Sequence, residues 1–211
     1  MKFGHRILAA ACLAGALCSS SAVFADDAQP PAPAAAAATP SAATAARPAV
    51  PAPPAAVQAW AKVCDPAPDG HKICLVHKLV FKGNIMVAEL TFRIDTAKGV
   101  PTLGIAAVPV GTLLKPGLLW QIDKQKGVAV PFWRCTPQAC EAQQLVKADY
   151  IAKLKKASTL TLTALNIENH PISIDVPLQG FGDAFDQQNA PTFAEYTKQM
   201  AAAQQQAKPA Q

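Results

Sequence analysis

Between Val57 and Phe185 the chain alternates apolar and polar residues in short runs divided by Gly, Pro and Asp. The clearest run sets Met86, Ala88, Leu90, Phe92 and Ile94 against Val87, Glu89, Thr91, Arg93 and Asp95. That period of two is the mark of a strand with one face buried. Further strands are predicted over Cys74–Phe81, Leu103–Val108, Leu118–Ile122, Val128–Trp133, Thr159–Leu165 and Ile172–Val176. Pro109, Gly111, the pair Pro116-Gly117 and Asp123 punctuate them as turns. About seven short strands at this spacing predict a mainly β domain, a sandwich of two sheets. Tyr150, Ile151 and Leu154 recur at helical spacing and predict one short helix over Ala148–Lys156. Phe193, Tyr196 and Met200 predict a C-terminal amphipathic helix from near Pro191, with Gln204–Gln211 frayed beyond it. The pattern leaves open whether that helix docks on the domain.

Before Val57 the pattern is different. Lys2, His5 and Arg6 precede an apolar run from Ile7 to Leu17, which leads into Ala22-Val23-Phe24-Ala25. This order reads as a secretory signal peptide cut after Ala25. Its apolar run falls well short of the roughly 20 residues that a spanning helix needs, and no later segment supplies a transmembrane span. Residues 26–56 are almost wholly Ala and Pro. Pro30, Pro31, Pro33, Pro40, Pro48, Pro51, Pro53 and Pro54 interrupt each prospective helical turn, and large apolar side chains are too few to offset ordering. The segment reads as an extended linker, partly polyproline II. The expected organisation is therefore a signal peptide at 1–25, a linker at 26–56, a β domain at 57–185 and a tail with a short helix at 186–211. Such a protein is exported, to the periplasm or to the outer surface and beyond.

Six cysteines become four once Cys12 and Cys18 leave with the signal. An even number in an exported chain reads as disulfides. Cys64, Cys74, Cys135 and Cys140 allow three pairings. The two local bonds, Cys64–Cys74 and Cys135–Cys140, close short loops containing turn formers and are the favoured pairing. A four-cysteine zinc site fits poorly, because nine residues separate Cys64 from Cys74 where close pairs are usual.

Charge adds little. The chain has 19 Lys and Arg against 14 Asp and Glu; without Lys2 and Arg6 the basic count is 17, a balance of +3. That is too mild for nucleic-acid binding, and no basic stripe interleaved with aromatics is present. Lys147, Lys153, Lys155 and Lys156 gather around the predicted internal helix. They read as a solvated face or, in a functional sense, as a contact for an anion or an acidic partner.

The sequence singles out no catalytic constellation. After Val57 the serines are Ser158 and Ser173, and neither lies in a nucleophile elbow. His71, His77 and His170 are scattered, with His71 expected to be exposed in the Cys64–Cys74 loop; no metal or cofactor motif appears. Gly180-Phe181-Gly182 lacks the third glycine of a dinucleotide loop. Asp95, Asp123 and Asp175 fall at strand ends, where carboxylates cap turns. The expectation is a non-enzyme without cofactor or metal.

The order of the motifs adds a family. Trp60-Ala61-Lys62-Val63-Cys64 is followed by Cys74, by Val108-Pro109-Val110-Gly111-Thr112-Leu113 and by Gly117-Leu118-Leu119-Trp120-Gln121-Ile122-Asp123. Pro131-Phe132-Trp133-Arg134-Cys135 with Cys140, and Pro177-Leu178-Gln179-Gly180-Phe181 with Ala184, complete the succession. Over residues 57–185 the chain resembles the invasion-associated locus B family of exported bacterial proteins. The resemblance implies an immunoglobulin-like β-sandwich at the periplasm or outer surface, with some members associated with entry into host cells. It carries over no catalytic residue, and the Ala/Pro linker departs from the minimal family pattern. Trp60 and Phe181 read as core anchors and Gly111 and Gly117 as turn residues. Two functions follow: a binding protein whose partner is an envelope component or a host-cell surface, or a periplasmic housekeeping or stress-related module without a host role.

Overall fold

The computed structural model describes residues 53–206. The expected signal peptide, nearly all of the expected linker and the last five residues lie outside them. A single turn of helix, α1 (Ala55–Gln58), leads into two antiparallel sheets. The first has six strands: β1 (Ala61–Pro66), β2 (Lys72–Lys82), β3 (Ile85–Asp95), β4 (Thr102–Pro109), β8 (Phe132–Cys135) and β9 (Ala139–Val146), in the order β1-β2-β3-β4-β9-β8. In the second, β11 (Pro171–Pro177), β10 (Thr159–Asn166), β6 (Leu118–Ile122) and β7 (Val128–Val130) lie side by side, with β5 (Thr112–Leu113) also on β10. Three further helices are α2 (Ala148–Leu154), α3 (Phe181–Asp186) and α4 (Phe193–Gln206).

The period-two pattern sets which faces meet. Ala88, Leu90 and Phe92 of β3 are buried, as are Val76 of β2, Ala106 and Val108 of β4, and Ala142 of β9. Opposite them lie Leu118, Trp120 and Ile122 of β6, Leu160 and Leu162 of β10, and Val176 of β11. The outward face of β10 and β11 is polar: Thr161 donates to Asp175, and Thr163 shares a hydrogen bond with Ser173. Gly104 lies under the Trp120 ring, where a Cβ would come within 3.2 Å of the indole. Trp60, Phe92, Phe181 and Phe185 form an aromatic cluster, and the Trp60 indole N–H donates to the Pro177 carbonyl at 2.9 Å. Trp60 and Phe181 are thus the core anchors their motifs predict.

The mainly β sandwich agrees with expectation; the strand count of eleven exceeds about seven. The predicted strand Val128–Trp133 is two strands. Pro131 has no N–H to give to a ladder, and at it the chain leaves β7 in one sheet for β8 in the other. The predicted internal helix stops at Leu154, two residues early. The C-terminal helix begins at Phe193 and continues through Gln206, so Gln204–Gln206 are helical rather than frayed.

That helix docks. Thr192 and Glu195 form a reciprocal capping box: the Thr192 N–H donates to Glu195 Oε2 at 2.8 Å, and the Glu195 N–H to Thr192 Oγ1 at 3.3 Å. The Thr192 N–H and the Thr192 hydroxyl, both donating to Oε2, hold the Glu195 carboxyl below its ordinary range. Just before the helix, the Pro191 carbonyl accepts from Cys64 N–H, and Asp65 accepts from Phe193 N–H. The segment therefore covers the free edge of β1, an edge that proteins commonly protect.

Candidate functional site

Both disulfides join strand neighbours. Cys64 and Cys74 are cross-strand partners on β1 and β2, and Cys135 and Cys140 are partners on β8 and β9; each pair has a Cα separation of 4.0 Å. With all four sulfurs paired, none is a free nucleophile.

His71 departs from its expected exposure. Its side chain is 20% exposed, with Nδ1 2.5 Å from Asp69 and Nε2 3.2 Å from Asp95, whose carboxylate also meets Arg93 at 3.6 Å. The cluster ties the Cys64–Cys74 hairpin to the end of β3. His77 packs edge-on against Tyr196 of α4, ring centroids 5.5 Å apart. Burial lowers its pKa, and the Glu89 carboxylate opposes that shift. Asp95 caps its turn, accepting from Ala97 N–H, whereas the Asp123 carboxylate reaches across to accept from the N–H groups of Ser158 and Thr159 at the start of β10. Asp175 instead lies within β11, paired to Thr161. Among the described residues no three His, Cys, Asp or Glu are grouped to hold a metal.

The lysines divide. Lys147 precedes α2 as its N-cap, and Lys153 lies in its last turn, where a cation complements the helix dipole. Lys155 donates to both carboxylate oxygens of Asp186 at 2.7 and 2.8 Å and lies 4.9 Å from the Phe185 ring centre. A depression of about 640 Å³ is lined by Lys147 and Lys155 together with Ile94, Val146, Ile151 and Phe185. Lys153 and Lys156 are exposed but outside its lining. Of the four lysines, then, the fold brings two to one hollow with an apolar floor.

Sequence reasoning missed Lys62. Its ammonium donates to the carbonyls of Phe185 at 2.8 Å and Gln187 at 2.7 Å, capping the end of α3 beside Lys155 and Asp186. Burial lowers its pKa, Asp186 raises it, and Lys155 lowers it further. Trp133 and Arg134 were legible only as motif residues. Trp133 is 51% exposed, the Arg134 guanidinium lies 4.4 Å from its ring centre, and Arg134 grips Glu141 through two 2.9 Å bonds.

The geometry places Lys147 and Lys155 beside an apolar floor, with Lys155 held by Asp186. Comparison with known proteins agrees on the architecture. The family model described as invasion associated locus B (IalB) protein matches residues 60–189. A crystal structure of invasion associated protein B from Bartonella henselae superposes with a TM-score of 0.53 at 22% identity, covering 70% of this chain and 93% of that one. No curated protein matches.

Proposed function

The chain belongs to the invasion associated locus B family, and on that premise we propose that it is an exported, non-catalytic protein that binds a partner at the bacterial envelope or the host-cell surface. The observation that carries this reading is the pair of cross-strand disulfides, Cys64–Cys74 and Cys135–Cys140. Such bonds persist in oxidising compartments and are rare in the cytosol. The signal-like residues 1–25 and the Ala/Pro segment that would give the domain reach support the same conclusion.

The contact surface is the α2 corner. Lys147, Lys153 and Lys156 are exposed there, and Lys155 forms the rim of the adjoining hollow. Such a surface takes an acidic patch or an anionic polymer, with attraction that weakens as salt screens it.

Protease treatment of intact cells, of cells with a permeabilised outer membrane and of lysed cells tests the location. Digestion at either of the first two stages is expected; digestion on intact cells favours the host-facing partner, and only after permeabilisation the envelope partner. Resistance until the inner membrane is broken contradicts export.

A further inference from the structure

At the end of the sandwich away from α2, the two sheets part around an apolar cavity of about 420 Å³. Strand β4 spans the distance, with Thr102 at the α2 hollow and Pro109 at the cavity. The lining includes Val80, Val87 and Val108 from one sheet and Leu162, Ala164 and Ile174 from the other. Between Val80 and Phe81 the register of β2 on β3 shifts and leaves Val87 without a cross-strand partner. A bulge of this kind re-aims side chains, and Val87 lines the cavity. Ala164, facing it from β10, is too small to fill the space.

Apart from Lys82, the polar residues of the lining are already engaged. Asp175 accepts from Thr161, Ser173 is bonded to Thr163, and Thr112 donates to the Pro109 carbonyl at 2.9 Å. An occupant must therefore be apolar along its buried length. Around the mouth, Val110 is 52% exposed and Ile172 49%. Lys82, exposed at the end of β2, is the cation of the lining, while the Asp175 carboxylate lies on the outward face of β11, where Thr161 donates to it. An aliphatic shaft with a cation at its mouth complements a hydrocarbon chain that ends in an anionic head. The volume lies within the about 300–1,000 Å³ of small-molecule pockets.

We infer that this cavity binds the hydrocarbon chain of a fatty acid, with the carboxylate at Lys82. This site is separate from the α2 lysines, so its occupancy stands or falls independently of the partner proposed there.

The test is calorimetric titration of the purified protein with saturated fatty acids from octanoate to palmitate, and with the matching alcohols. One ligand per chain is expected, with affinity rising about fourfold per methylene until the cavity is full and level thereafter. The acid binds more tightly than its alcohol, and Lys82→Glu removes that difference while the alcohol still binds. Ala164→Phe fills the cavity and abolishes saturable binding. Should that variant fail to fold, Val110→Asp at the half-exposed mouth decides, with an expected loss of about tenfold or more. Three results overturn the inference: no saturable binding at any chain length, affinity that climbs without a plateau, or a dimer in sedimentation that Val110→Asp disperses, which would give the cavity to a second copy.

Discussion

Gly117 has a backbone φ of +103°, and a Cβ on it would lie 2.7 Å from the Val130 carbonyl oxygen. Gly70, at φ +89°, has open space around it. Gly117→Ala therefore incurs a steric collision on top of the left-handed penalty, for a total of about 2–3 kcal/mol, whereas Gly70→Ala costs about 1 kcal/mol. Urea unfolding of the two variants reads the difference; equal losses would mean that the Val130 contact is relieved cheaply. Asp123 has a φ of 46° and accepts two backbone N–H bonds at the start of β10. Asp123→Ala is expected to lose about 1–2 kcal/mol, and Asp123→Asn less, since Asn accepts the same bonds and tolerates that conformation. Residue roles that depend on near neighbours were legible in the sequence: the turn glycines, the local cysteine pairs and the capping carboxylate Asp95, whereas the partners of Asp123 lie 35 and 36 residues on. Lys62 was not, because the carbonyls it caps lie 123 and 125 residues away.

At the scale of elements, α4 rests on β1 and β2 through Asp65, Pro191 and the His77–Tyr196 contact. Burial depresses the His77 pKa below its ordinary 6.5, so the folded state holds this ring neutral. A histidine with a lowered folded pKa contributes fully above its unfolded value, and its contribution fades as pH falls from about 6.5 toward the folded value. Thermal unfolding should therefore show a wild-type advantage over His77→Gln that is largest above pH 7 and shrinks on acidification. An advantage that grows on acidification would contradict the neutral, buried ring. The strands that the sequence revealed have large apolar residues on one face, as β3 does. Strand β9 was hidden because its inward face carries Cys140, Ala142 and Gln144, while Leu145 points outward and is 66% exposed. Strand β1 buries only Val63 and gains its place by pairing with β2. Such elements are fixed by ladder partners distant in sequence, which a local pattern does not contain.

Across the whole molecule, the sandwich depends on one aliphatic and aromatic core shared by both sheets, with no polar or charged residue among those buried in the described part. The disulfides act at two hairpins on the rim of the larger sheet. Removing Cys64–Cys74 as a serine pair should cost about 3 kcal/mol and removing Cys135–Cys140 about 2 kcal/mol, following the lengths of the loops they close. Denaturant midpoints measure both; no loss from either would mean that the ladders hold these hairpins alone. The sandwich itself was legible because strand spacing and binary pattern are properties of the whole stretch, while the pairing order and the hollow beside α2 arise only when distant strands meet. The central claim is that a disulfide-stapled domain works outside the cytoplasm. Its most direct test is the intact mass of the protein isolated from its own cells under thiol-alkylating conditions. The expected species begins at Asp26 and takes up no alkylating label, its four cysteines oxidised in two bonds. A chain that retains residues 1–25, or one whose cysteines are labelled, would contradict it.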